Sequence, residues 1–392
     1  MEEYKKIRIE VLDRMIETSF CGYDPSAINF SKRAIKIRSI INNVPNRVLR
    51  KVLSSLYSRT IYYLGEYSIF LLKPKKKVYT KGLALVLSGL ACDEFPNYEL
   101  INILVDLIMS KRIRNTYLWA HDIDYSFPGG RAVTTETPNL VTTAFVANAF
   151  FDLYKKTNIV SYKEIFNKIV GDLLKEVPYK ELSDDKICFM YTPITDYHVH
   201  NANLLYAELL AKKIYLGSSD AEELMSLIDR ALNYSLSDFH ETETYPYAGP
   251  PTRKFAIDNY HTGYLLRSLN EIDSLIGRAL NVDLVPEIRH LLKFYIESFV
   301  SGGYIVRDNE RTIQSHSLAE AILIFKIFEE KIAPCDRKIM LCAIKKTIDI
   351  LYDQSNHYFI NNAKMLFGVF VKDRTEMVRW SNAWMYYAMS VK

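Results

Sequence analysis

Cysteine is scarce in this 392-residue chain and shows no pairing: Cys21, Cys92, Cys188, Cys335 and Cys342 are odd in number, scattered, and free of any CxxC spacing. That argues against a disulfide framework and a thiolate zinc site, and fits a reducing cytoplasm. Net charge is equally thin. Lysine and arginine number 50 against 46 aspartates and glutamates, leaving +4, too little overall to call for nucleic acid or an anionic surface as partner. No window approaches the roughly 20 apolar residues of a membrane-spanning helix. The opening stretch "MEEYKKIRIEVLDRMIETSF" carries charge throughout, unlike a signal peptide. The expectation is a cytoplasmic protein with no membrane span. The run "KPKKK" at residues 73–77 lies between two helical patterns and reads as a solvated turn.

What the chain does have is a repeat. The helix starts "TKGL", "TTAF", "NANL", "HTGY", "HSLA" and "SNAW" begin at Thr80, Thr142, Asn201, His261, His316 and Ser381, with spacings of 62, 59, 60, 55 and 65 residues. A period near 60 suits a helical hairpin with its loops, used six times. Helices at the anchors are almost uncharged, as in "LVTTAFVANAFF", and suit burial on most sides. Those between, such as "YKEIFNKIVGDLLKEV", alternate apolar residues at three-and-four spacing with charges, the pattern of one wet face. An inner ring wrapped by an outer ring accounts for both. The fold expected is therefore an all-α (α/α)6 toroid with short β segments at its rim. Residues 46–392 would form the ring, with 46–72 supplying an outer helix, and 1–45 would be an arm packed on it. An open array of helical pairs is the alternative, although 60 residues is long for one.

In a closed ring all inner helices start on one face, so their first turns would meet over a central funnel. The segments leading into them concentrate aromatic and histidine residues. Trp119, Trp380 and Trp384, the chain's three tryptophans, lie there, as do His121, His198, His200, His240, His261 and His316. Flat amphipathic rings beside amides and carboxylates suit a sugar, and helix N-termini favour an acidic one. A saccharide or glycan intermediate is the expected partner, with no nucleic acid, cofactor or metal.

The candidate catalytic residues are Asp258, Asp124, His261 and His200. Trp119, Tyr191, Asn201, Asn203, Tyr264, His316, Arg379, Trp380 and Trp384 are the candidate substrate contacts. Glycoside hydrolysis needs two carboxyl groups, about 6.5–9.5 Å apart for inversion or about 5–5.5 Å for retention, and Asp258 with Asp124 is the leading pair. A uronate lyase or epimerase would use His and Tyr instead, with Arg379 or Asn201 stabilising an enolate. A third possibility is glycan binding without turnover. Each residue also has a plain structural role open to it. Asp258 could cap its helix, His200 and His261 could be satisfied core histidines, and Arg379 could be a buried ion-pair partner.

At "VHNAN" from Val199, "DNYHTGYLL" from Asp258 and "RWSNAWM" from Arg379 the sequence resembles a family. It is the six-hairpin glycosidase-like proteins of exopolysaccharide, capsule and lipopolysaccharide biosynthesis gene clusters. "GYDPSA" from Gly22, "PNR" from Pro45, "LWAHDIDYSF" from Leu118, "PNLVTTAF" from Pro138, "YTP" from Tyr191 and "SHSLAEA" from Ser315 extend the resemblance in order along nearly the whole chain. Ala120 and Gln314 depart from it, standing where the family has glycine and aspartate. The resemblance implies a role in surface-polysaccharide metabolism, with a glycoside hydrolase acting on an acidic oligo- or polysaccharide as the first expectation.

Overall fold

The computed structural model describes residues 2–126, 132–251, 256–308 and 312–392; parts of three rim segments, 127–131, 252–255 and 309–311, lie outside the described residues. The chain opens with α1 (Glu2–Glu17), α2 (Pro25–Asn29), α3 (Lys32–Asn42), α4 (Arg47–Leu64) and α5 (Tyr67–Leu72). Inner and outer helices then alternate. The inner ones are α6 (Thr80–Ala91), α8 (Leu140–Thr157), α10 (His200–Tyr215), α12 (Asn259–Ile276), α14 (Ser315–Phe328) and α16 (Trp384–Ser390). Between them run the outer α7 (Tyr98–Ser110), α9 (Val160–Glu176), α11 (Ala221–Thr242), α13 (Val285–Phe299) and α15 (Pro334–Leu351).

Each inner helix packs on the next, and α16 packs back on α6, so the ring closes. The (α/α)6 toroid is thus the fold. Residue chemistry explains which helix goes inside. All twelve residues of α6 are buried, and a run with almost no charge can tolerate that. In α13 the buried positions Ile288, Leu291, Leu292, Tyr295 and Phe299 recur at three-and-four spacing, one apolar stripe against the ring. Each Leu, Ile or Phe fully buried in this way stabilises by about 1.5–3 kcal/mol.

The sixth outer position differs from expectation. It is filled by α1, which packs on α16, and not by residues 46–72. Ile7, Val11 and Met15 of α1 are buried, and Arg14 pairs with Glu376 at 2.9 Å. Helix α4 has no buried residue and packs against its neighbours α3 and α5. Both segments are amphipathic, but only α1 turns its apolar stripe toward the ring.

The longest strands form a hairpin, Tyr358–Leu366 against Val369–Glu376, with Thr312–Gln314 on the other edge. This hairpin leads from α15 into a π-helical turn, Val378–Ala383, that precedes α16. Its place in the chain brings Arg379 and Trp380 to the ring centre.

Candidate active site

A cavity of about 180 Å³ lies where the inner helices begin. Five contribute directly and the sixth through the turn that precedes it: Lys81 from α6, Thr142 from α8, Asn201 from α10, His261 and Tyr264 from α12, His316 from α14, and Arg379 from the turn before α16. The funnel inferred from the six polar helix starts is therefore a real concavity. Asn139 caps α8 by accepting from the Thr142 N–H at 2.9 Å. Asp122 does the same for α6 from outside, accepting from the Thr80 N–H at 2.8 Å, from the Thr80 hydroxyl at 3.0 Å and from Lys111 at 2.8 Å.

Asp258 performs two tasks at the start of α12. One oxygen accepts from the His261 N–H at 3.0 Å as the helix cap, and the other accepts from His261 Nδ1–H at 2.8 Å. That second bond selects the tautomer with Nε2 open. Burial pushes the Asp258 carboxyl up, but the imidazole and the two hydrogen bonds from His261 outweigh it and hold the group below its ordinary value. Asp258 itself borders a smaller recess beside the cavity, behind His261.

His316 has the opposite surroundings. Burial, with Lys81 and Arg379 adding positive charge, drives its pKa well below the ordinary value of 6.5, so it is neutral. Its Nε2 bonds the Tyr264 hydroxyl at 2.8 Å, while its Nδ1 has no partner. Tyr260 stands between the two histidines, with ring centroids 4.4 Å from His261 and 4.4 Å from His316. Trp384 stacks beneath His316 at 4.5 Å.

Two basic groups line the floor. Arg379 donates from Nε to Asp24 at 2.6 Å, a carboxylate that also caps α2. Lys81 is buried beside the Tyr264 hydroxyl at 3.3 Å and over the Phe145 ring at 3.9 Å. Burial, then Arg379 and Arg267, lower its pKa well below the usual lysine value. Five polar atoms of cavity residues are buried without a protein partner: Tyr79 OH, His121 Nδ1, Asn201 Oδ1, His316 Nδ1 and Trp380 Nε1. Orphaned groups of this kind are rare in folded proteins, and five around one cavity mark it as a site for a polar ligand.

Of the residues expected from sequence, Tyr191, Asn201, His261, Tyr264, His316, Arg379 and Trp380 line the cavity. Others are placed elsewhere. Asp124 is exposed and accepts from the Thr135 N–H at 2.9 Å, outside the funnel. His200 is fully buried between Ser235 at 3.1 Å and Asp238 at 2.9 Å. Asn203 ties the backbone, accepting from the Phe189 N–H and donating to the Ala231 carbonyl. Trp119 is core, its indole N–H donating to the Ile108 carbonyl at 2.7 Å. Trp384 is buried below the histidines and does not reach the cavity wall. Lys81, Tyr79, Tyr247 and Tyr260 were not singled out. The signal for Lys81 was legible, since a lone cation in "TKGLALVLSGLA" has no reason to enter a core unless it faces something.

One consequence is measurable without a substrate. His316 and His121, the latter pulled down to about 4 by burial and by Arg379, stay neutral in the fold at a pH where an unfolded chain binds protons. The folded values are depressed, so this contribution is complete above about 6.5 and is lost as pH falls, for His121 through about 4. Thermal unfolding across that window is expected to show Tm falling, with a shallower slope in His316→Gln. Equal slopes would show that His316 is not held neutral.

No family model and no curated protein matches the sequence. Solved structures do match. A sugar epimerase from a ruminal bacterium aligns over 79% of this chain and 86% of its own with 15% identity and a TM-score of 0.56. A cellobiose 2-epimerase from Bacillus thermoamylovorans covers 80% and 87% with 11% identity and a TM-score of 0.58. An α-mannanase from Bacteroides thetaiotaomicron covers 79% and 85% with 9% identity and a TM-score of 0.51. These likenesses establish the toroid fold.

Proposed function

We propose that the central cavity holds one unit of a saccharide and transfers a proton on it, as a sugar epimerase or isomerase does. The observation that carries this is the pair of histidines on either side of Tyr260, one neutral and with an open Nδ1, the other backed by a carboxylate. Pairs of titratable groups with opposed surroundings are the arrangement of acid with base. At about 180 Å³ the cavity is below the roughly 300–1,000 Å³ of drug-sized sites, which favours a single sugar unit.

In this account His316 takes the proton from a carbon beside a carbonyl or carboxylate. The electron pair moves onto the carbonyl oxygen, and Arg379 and Lys81 stabilise the enolate. His261, its Nδ1–H held by Asp258, takes a second proton from solvent on Nε2 and delivers it to the other face of the carbon. On a uronate one hydrogen is exchanged and no other bond breaks; an aldose must first open its hemiacetal ring to present the carbonyl, and the ring closes again after reprotonation. The reverse direction swaps the two roles. The Arg379 guanidinium and the helix N-termini suit an acidic sugar, and the family resemblance of the sequence supports a place in surface-polysaccharide metabolism. Two of the three structural neighbours described above are named as epimerases, in keeping with this chemistry.

Hydrolysis, the first expectation from sequence, finds less support. Among the described residues Asp122 is the one carboxylate lining the cavity, and its oxygens are engaged by Thr80 and Lys111. Among the described residues no second carboxylate lines the cavity opposite it.

Incubation of the enzyme in D2O with a panel of aldoses, uronates and short oligosaccharides, followed by NMR, tests the proposal. Deuterium should enter beside the carbonyl or carboxylate, with an inverted or isomerised product and no new reducing ends. New reducing ends without deuterium would replace it by hydrolysis, and a conjugated unsaturated uronate by elimination.

A further inference from the structure

The near-neutral whole-chain charge hides a strong local imbalance. Residues 31–77 contain 12 lysines and arginines and a single acidic residue, Glu66, leaving 38 against 45 for the rest of the chain. The segment is therefore +11 and the remainder −7. It spans α3, α4 and α5, three of the four helices that take no place in the ring.

The same segment exposes apolar side chains in an organised way. In α4, Val48, Val52 and Leu56 are 71%, 55% and 60% exposed, and Leu49 and Tyr63 are also exposed. At 3.6 residues per turn these five fall within an arc of roughly 100°. Leu53, Tyr57 and Ile61 occupy the other side and are partly covered. Arg59 projects from within that arc, and Lys51 and Arg47 lie on the side beyond Val48; all three are exposed. Tyr67, Phe70 and Leu71 of the next helix, α5, are exposed as well, Phe70 to 77%. Beside them opens a groove of about 540 Å³ whose charged lining is Lys32, Arg33, Lys73, Lys75 and Lys77, with Asp124 its one acidic residue.

We propose that α4 and α5 form a docking surface for an anionic lipid bilayer, lying in the plane of the headgroups. A basic helix with an exposed apolar stripe is the form of an interfacial helix, whose apolar side enters the acyl boundary while its cations meet lipid phosphates. Charge complementarity selects this occupant. On a nucleic acid the stripe of Val48, Val52 and Leu56 would stay in water, and a second copy of this surface would bring two +11 segments together. The central cavity is not involved, so the inference stands apart from the proposed reaction.

Flotation of the full chain with vesicles of phosphatidylcholine, against vesicles of equal parts phosphatidylcholine and phosphatidylglycerol, is the test. The protein should float with the anionic vesicles alone, and raised salt should weaken binding. Charge reversal by K51E/R59E/K75E should reduce the bound fraction at least tenfold. V52S/L56S/F70S should reduce it as well, with Tm unchanged because these side chains are already exposed. The proposal is overturned if the protein stays with the aqueous phase in both cases, or if the serine variant binds as well as the parent. It is equally overturned if DNA or an acidic protein binds this surface in place of the vesicles, or if sedimentation shows a dimer that the serine substitutions dissociate.

Discussion

Replacing His261 by Gln is expected to lower turnover on any sugar the cavity accepts by about 10²–10⁴-fold, the range that a positioned acid–base group contributes. KM should change little, because Gln keeps a polar side chain of similar size in the cavity wall. Asp258 acts through His261 and is a positioning residue. Asp258→Asn retains an oxygen to cap α12 but loses the charge facing Nδ1. Its kcat should fall and its pH–rate profile should shift, with less change in stability than the roughly 0.5–2 kcal/mol of losing the cap altogether in Asp258→Ala. Steady-state kinetics on the three variants, beside their urea denaturation, separate the two functions of that carboxylate. If Asp258→Asn matched the parent across the pH range, the residue would be a cap alone.

The largest stability effect is expected one layer below the cavity. Glu320 is fully buried and receives two hydrogen bonds from Arg267, at 2.6 and 3.2 Å. Burial raises the Glu320 carboxyl above its ordinary value, and the Arg267 guanidinium opposes that. Gly263 makes the arrangement possible, since a Cβ there would stand 2.2 Å from Glu320 Cγ. Arg267→Met removes the opposing charge and leaves a carboxylate in the wall between α12 and α14. The cost should be about 3–5 kcal/mol, as for a broken buried pair. The double variant R267M/E320Q should lose less than Arg267→Met alone, because a neutral amide is easier to bury than an unpaired carboxyl. Urea denaturation of the single and double variants measures the coupling. Additive losses would mean that the two residues do not stabilise each other.

Much of the architecture was legible because inner and outer helices have different chemistry. The uncharged runs begin at Thr80, Leu140, His200, Asn259 and Ser315, within two residues of the anchors, and their period reflects one hairpin per unit. The sixth outer helix was not legible. α1 and α4 are both amphipathic, and which stripe meets α16 is decided by tertiary packing that a sequence pattern does not contain. The site was legible in the same uneven way. His261, His316 and Arg379 sit in the first turns of helices whose starts converge, so ring geometry alone delivers them to the cavity. His200 and Asn203 lie as close to a helix start, and Trp119 in a segment leading into one, yet each satisfies a backbone or side-chain partner away from the cavity. Asp124 shows a further gap: it is two residues from Asp122, which lines the cavity, but the chain bends at Asp122 and Ile123 and leaves Asp124 exposed. Asp258, expected either as a hydrolytic carboxylate or as a helix cap, is a cap, and its second oxygen accepts from His261, a pairing that the sequence did not mark.

The most direct test of the central claim separates proton exchange from inversion in His316→Gln. With a sugar that the parent enzyme epimerises in D2O, a two-base site that has lost one base should still exchange the hydrogen of one epimer through His261 while inversion stops. That partial activity, with deuterium wash-in and no change of configuration, is the result expected. Cleavage of a glycosidic bond at the parental rate by His316→Gln, with no deuterium entering the product, would contradict it.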